Sequence, residues 1–394
     1  MSRTAQQLAS AFAPPVMEAR AWADAAELPA DLPMLNLSQA APVDPPPQAL
    51  REAMADIVLN DPGAHLYGPV LGLPALRQSV ATGWSATYTA SLSPDQVAIT
   101  SGCNQAFCAA IAVVADAGDN VILPTPWYFN HKMWLDMAGV DARLLACGPG
   151  MQPEVSKAEQ LIDDRTRAIV LVTPNNPTGA EYSADLLDAF ADLASARGLA
   201  LIIDETYRDF HSRMGPPHHL FSRDWQETVI QLYSFSKVYR LTGHRVGALV
   251  ASARRMAEIE KFLDTVTICP NQLGQRAALW GMENLVEWVA AERAEILARK
   301  ASIQSALDTL PGWEILGCGA YFAYVRHPFD LPSDRLAQRL VAEAGVLLLP
   351  GTMFAPKAVD GGDGQAERQL RIAFANADRA GIETLRERLA GFTP

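Results

Sequence analysis

The sequence predicts an α/β fold, in which a mainly parallel β-sheet is covered by helices on both faces and followed by a smaller α+β lobe. Three observations carry this. Six short runs, QVAIT (96–100), NVILP (120–124), AIVLV (168–172), LALIID (199–204), TVIQLY (228–233) and VGALVA (246–251), are apolar on successive residues rather than alternate ones. Strands of a parallel sheet buried on both faces have that pattern. Helical segments fall between them, and beyond Pro270 the pattern changes to a long helical stretch and then to a mixed tail.

Taken in order, prolines crowd 29–47 and end in PVDPPP, marking an extended N-terminal arm before the first clear helix over 48–59. A second helix is expected over 104–115. A third covers 183–197, where Leu186, Leu187, Phe190 and Leu193 recur on one buried face. The stretch 272–310 reads as one long helix joining the two lobes. The tail then holds YFAYV (321–325), LAQRLVAEAG (336–345) and LRIAFA (370–375), while Gly361, Gly362 and Gly364 mark a surface loop. The expected division is an arm and part of the small lobe at 1–45, a large domain at 46–280 and a small domain at 281–394.

Composition narrows the function. The 394 residues carry 32 lysines and arginines against 44 acids, a net charge of −12. Such a field repels nucleic acid and anionic membrane, so small molecules are the expected partners. No apolar run approaches the ~18 residues that cross a bilayer. The first twenty residues lack the apolar core of a secretory signal, which leaves a cytoplasmic protein as the expectation. Cys103, Cys108, Cys147, Cys269 and Cys318 form no CxxC pair and read as free thiols; the histidines show no metal-binding spacing.

In parallel sheets the binding crevice lies beyond the carboxyl ends of the strands. There the sequence places SGCNQAF, a helix start whose Gly102, Cys103 and Asn104 N–H groups suit an anion. It also places TPWYF with two aromatic rings, TPNNPTG with amides, Asp204 followed by Tyr207, and SFSK with Ser234, Ser236 and Lys237. Each alone has an ordinary explanation as a cap, a loop or core packing. Together they supply what a pyridine ring bearing a phosphate arm and an aldehyde needs, and pyridoxal phosphate has that chemistry.

At this point the chain resembles the class I/II aminotransferases, the fold type I pyridoxal-phosphate enzymes. HLYGPVLGLPALR (65–77), TPNNPTG (173–179), DETY (204–207), SFSKVYRLTGHRVG (234–247) and LRIAFA stand in family order. The resemblance implies a seven-stranded, mainly parallel sheet and a homodimer with shared sites. It implies that Lys237 forms the aldimine with pyridoxal 5'-phosphate and that Asp204 faces the pyridine nitrogen. Asn176 and Tyr207 would bond the ring oxygen, and Tyr128 would stack on the ring, with Trp127 the alternative. Ser234, Ser236, Arg245, the amides of Cys103 and Asn104, and Tyr67 from the partner would hold the phosphate. Arg371 would grip the substrate carboxylate. Ala40 in LSQAAP departs from the glycine many relatives have near that carboxylate, which narrows the pocket but leaves its N–H.

The implied activity is ping-pong transfer of an amino group from an α-amino acid to a 2-oxo acid. A carbon–sulfur β-lyase, another lyase or a racemase would use the same residues. A regulatory protein of this fold is disfavoured by the lack of a DNA-binding module, and a nicotinamide enzyme by the lack of GxGxxG after any strand. Trp127, Phe129, Trp134, Tyr321 and Phe322 make a large apolar substrate conceivable, and no second arginine for a dicarboxylate stands out.

Overall fold

The computed structural model describes residues 4–393. In chain order its strands are β1 (Leu35–Asn36), β2 (Val97–Thr100), β3 (Asn120–Thr125), β4 (Asp141–Ala146), β5 (Thr166–Val172), β6 (Ala200–Asp204), β7 (Val229–Ser234), β8 (Gly247–Val250), β9 (Glu314–Gly319), β10 (Phe322–Arg326), β11 (Val346–Leu347), β12 (Leu349–Pro350) and β13 (Gln369–Ile372). Seven of them form the main sheet in the order β2-β8-β7-β6-β5-β3-β4.

The consecutive apolar runs are explained by two cores, one on each face. Along β5 and β6, Ile169, Leu171, Leu201 and Ile203 enter one cluster, while Ala168, Val170, Ala200 and Ile202 enter the other. Both sets of side chains are therefore apolar, because a strand points successive residues to opposite faces. The pairs β4–β3, β3–β5, β5–β6 and β6–β7 are parallel. β8 runs antiparallel to both β7 and β2, so VGALVA is not the parallel strand its composition suggested. An apolar run reports burial and carries no direction. β4 escaped the sequence reading because it is an edge strand with exposed Asp141, Leu144 and Ala146.

The smaller lobe holds an antiparallel sheet in the order β12-β13-β10-β9. β1 pairs in parallel with β11, Leu35 opposite Val346, which ties the N-terminal arm to this lobe. The stretch expected as one long helix is two, Gln272–Asn284 and Val286–Asp308, broken at Leu285. The arm is also not wholly extended. A helix at Pro15–Ala25 begins with proline at its first turn, where the missing N–H has no helical partner to lose, and it buries Pro15 and Ala19.

Candidate active site

Strands β5 and β6 end level, with Val172 opposite Asp204, and β7 runs two residues past Leu232, the partner of Asp204, to Ser234. β8 carries the same edge across to β2, since Ser234 faces Gly247 and Gly247 faces Thr100. The segments leaving these ends open on a cleft of about 660 Å³. Its walls include Ala40, Cys103, Asn104, Tyr128, Asn176, Asp204, Tyr207, Ser234, Ser236, Lys237, Arg245 and Arg371. Of the residues singled out in the sequence, Gly102, Tyr67, Trp127, Trp134, Tyr321 and Phe322 are not on this wall.

Lys237 sits in a single helical turn, Phe235–Val238, whose start is capped by Ser234 Oγ accepting from the Ser236 N–H at 3.2 Å. Its Nζ donates to the Ala40 carbonyl at 2.5 Å. Burial, followed by the positive charges of Arg245 and Arg371, lowers its pKa from 10.5 to about 8.

An anion cradle lies beside it. The helix Cys103–Ala112 starts at Gly102, whose φ of +86° is open to glycine and strained for other residues. A Cβ there would also run into the Arg245 guanidinium. The Gly102 N–H already donates to the Thr100 carbonyl at 2.8 Å, so its expected part as an anion donor is withdrawn. Among the described residues the amides of Cys103 and Asn104 have no partner and remain free. Arg245 Nη1 is aimed by the Thr242 carbonyl at 3.1 Å and Ser236 Oγ at 3.4 Å. The Cys103 thiol is buried and its pKa is pushed well up by desolvation, then by Asp204, which leaves it inert.

Asp204 is buried at the tip of β6. Burial alone would raise its pKa, yet the neighbouring His131 and the Thr206 N–H, 2.9 Å from Oδ1, outweigh it and hold the carboxyl below its ordinary value. His131 Nε2 lies 3.3 Å from Asp204 Oδ2, with its ring stacked on Phe107 at 3.8 Å between centroids and edge-on to Tyr128. The sequence reading missed His131. A signal existed, since 128 and 131 share one face of a helical turn.

Arg371 is 2% exposed on β13, with its guanidinium over the rings of Phe322 and Phe354. Nη1 donates to Asn176 Oδ1 at 2.9 Å and Nη2 to the Ser38 carbonyl, while Nε has no partner. Burial lowers its pKa to about 10, against the opposing pull of Tyr207, Tyr128 and Tyr324. No carboxylate of the described chain pairs with it, so a buried cation awaits its counter-ion. Because Asn176 gives its oxygen to Arg371, its amide N–H groups are left for a ligand.

Tyr128 lines the cleft and bonds Asn104 Oδ1 at 3.3 Å. Trp127, the alternative, turns away: its Nε1 donates to the Met353 carbonyl and its ring lines a separate cavity with Trp22 and Lys132. Of the aromatic residues considered for a substrate pocket, Phe129 alone is on the wall of the cleft. Tyr207 packs against Tyr321 and Phe322. Tyr67 is 82% exposed and does not reach the cleft of its own chain.

This fold and this arrangement suit an enzyme acting on amines that carry a carboxylate group. The family profile of aminotransferase class I and II matches residues 33–389. The chain therefore belongs to the class I and II aminotransferases, and it is a transaminase. It is 30% identical to an aromatic aminotransferase of Arabidopsis thaliana over 355 residues, 86% of this chain and 87% of that one. It is equally 30% identical to a valine–pyruvate aminotransferase of Mycobacterium tuberculosis over 373 residues, 92% and 91% of the two chains. Among solved structures, the Escherichia coli methionine aminotransferase YbdL superposes with a TM-score of 0.89 at 26% identity over 100% of both chains. These likenesses do not favour the lyase alternative. The family is generally dependent on pyridoxal phosphate.

Proposed function

We propose that the protein moves the amino group of an α-amino acid to a 2-oxo acid in two half-reactions at this cleft, with pyridoxal 5'-phosphate as carrier. One observation carries the reading: free amides beside Arg245, an amine held near pKa 8 and a buried arginine without a carboxylate all face one space. The residues fit the cofactor. Cys103 and Asn104 amides, Ser234, Ser236 and Arg245 would take the phosphate, Asp204 the ring nitrogen, Asn176 and Tyr207 the ring oxygen, and Tyr128 the ring face. Ala40 closes the floor at the lysine amine.

When bound, this cofactor supplies an aldehyde that condenses with amines and a protonated ring that draws electrons from the substrate Cα. Asp204, held ionised beside His131, would keep a proton on the ring nitrogen. Arg371 would bind the substrate α-carboxylate through its planar fork and so hold the substrate in one orientation in the cleft. Lys237 Nζ, with a pKa near 8, is neutral often enough near neutral pH to take the Cα proton and to return it one carbon away. A second substrate, the 2-oxo acid, reverses the sequence.

Tyr67 supports a homodimer in which each cleft borrows this ring from the partner, as does its neighbourhood of exposed Leu59 and Leu66. The acidic charge is in keeping with a cytoplasmic protein, and the pairing of β1 with β11 with an arm at 1–45 that belongs partly to the small domain at 281–394, beside a large domain at 46–280. The test is two-substrate kinetics of the purified holoenzyme while the cofactor absorbance is followed. Parallel double-reciprocal lines are expected, together with no response in Lys237→Ala. Release of ammonia without any 2-oxo acid would point instead to elimination.

A further inference from the structure

We propose that the cavity lined by Trp22 and Trp127, separate from the Lys237 cleft, is a second small-molecule site, and that it takes an organic cation whose ammonium group is alkylated.

The cavity holds about 520 Å³, a volume usual for small-molecule sites. Three segments far apart in the chain wall it: the N-terminal arm with Phe12, Glu18 and Trp22, the segment after β3 with Trp127 and Lys132, and the small lobe with Asp360. The helix Pro15–Ala25 divides it from the cleft, because Val16, Met17 and Arg20 line the cleft while Glu18 and Trp22 line this space. No residue lines both, so an occupant here leaves the Lys237 site free.

The walls suit a cation in two ways. An indole face attracts positive charge through its quadrupole, and one of these rings already does so, with Lys132 Nζ 5.7 Å from the Trp127 ring centre. That ammonium is held elsewhere as well, since both carboxylate oxygens of Asp136 accept from it at 2.5 and 2.6 Å. Trp127 is fixed by its Nε1 donating to the Met353 carbonyl at 3.3 Å. Phe12 and Trp22 are half-buried, and among the described residues neither ring meets a cation or another ring.

The charges point the same way. Asp136 pairs with Lys132, and Asp334 with Lys357 at 3.2 Å, which leaves Glu18 and Asp360 on the wall with no cation partner among the described residues. Acids on an open surface are simply hydrated, but bordering a space lined by indoles they set its sign, and an anion would be repelled. A bare ammonium is satisfied by a direct hydrogen-bonded carboxylate, as Lys132 is. Ring faces with acids around them instead suit a cation whose charge is spread over methyl groups and which has little hydration to lose.

The test uses choline and its uncharged carbon analogue, in which a tert-butyl group replaces the trimethylammonium group. The two share a shape and differ in charge, and neither has a primary amine to react in the cleft or a carboxylate for Arg371. Their dissociation constants are measured by calorimetry on the holoenzyme, for wild type, for Trp22→Leu and for the double variant Glu18→Gln with Asp360→Asn. Wild type is expected to bind choline about tenfold or more tightly than the analogue, the scale of a desolvated cation–ring contact. Trp22→Leu should bring that ratio close to one, and the double variant should lower it several-fold. Melting temperatures show which variants fold, and the double variant changes only exposed side chains, so it carries the test if Trp22→Leu does not. No choline binding at millimolar concentrations, equal binding of the two probes by wild type, or a preference that survives intact in either folded variant overturns the inference.

Discussion

Arg371→Lys separates recognition of the substrate carboxylate from every other task of the site. Arg371 Nη1 and Nη2 are already bonded to Asn176 Oδ1 and the Ser38 carbonyl, and these contacts aim the fork while Nε stays bare. A lysine at 371 keeps the charge but offers one point instead of a planar pair. Against the substrate carboxylate it forfeits one charge-assisted hydrogen bond, about 1.5–3 kcal/mol, or roughly ten- to hundredfold. A further ~1–3 kcal/mol follows if Asn176 or Ser38 loses its donor, but that penalty falls on every substrate alike. The assay therefore compares kcat/KM for a good amino acid with that for the amine of the same side chain lacking the α-carboxylate. Wild type should prefer the acid strongly, and Arg371→Lys should shrink the preference by about ten- to hundredfold, whatever the common loss. If acid and amine fall by the same factor, Arg371 shapes the pocket without reading the carboxylate, and the reasoning fails.

Two further perturbations test the rest of the site. In the cofactor-free protein the folded pKa of Lys237 lies below its ordinary 10.5, at about 8. Its protonation therefore opposes folding fully below pH 8, and the penalty fades from pH 8 to 10.5 as the folded chain sheds a proton that the unfolded chain keeps. Lys237→Met should raise unfolding free energy by up to ~3 kcal/mol at pH 7, an upper bound for a part-buried group, and by nothing near pH 10.5. A difference in urea midpoints that stays constant with pH would contradict this. Gly102→Ala strains a φ of +86° and pushes a methyl group onto Arg245, so cofactor affinity should fall about tenfold or more. Gly118→Ala, with a φ of +91° and nothing within 4 Å, carries similar strain far from the cradle and should leave that affinity alone; equal losses in both would refute the cradle.

The parts of the molecule that could be read from sequence are those whose chemistry is written in side-chain type at short range. The runs of β5, β6 and β7 had to be apolar on both faces, and the segments after them had to carry an amide, a carboxylate and an amine at the strand ends, so Asn176, Asp204 and Lys237 were visible. What escaped depends on contacts that residue type does not record. The direction of β8 is set by its connection and not by its side chains, and His131 acquires meaning only when its helix brings it to Asp204. Ser38 and Ala40 are the clearest case. They meet Arg371 and Lys237 across sequence separations of 333 and 197 residues, and they do so through backbone carbonyls that every residue possesses. Only Gln39 between them contributes a side chain, which accepts from Arg20, 19 positions away. The site is thus closed by a segment whose position matters more than its composition. For that reason Arg371 was visible in the sequence as a candidate for carboxylate binding, while the backbone carbonyls that hold it and Lys237 in place were not.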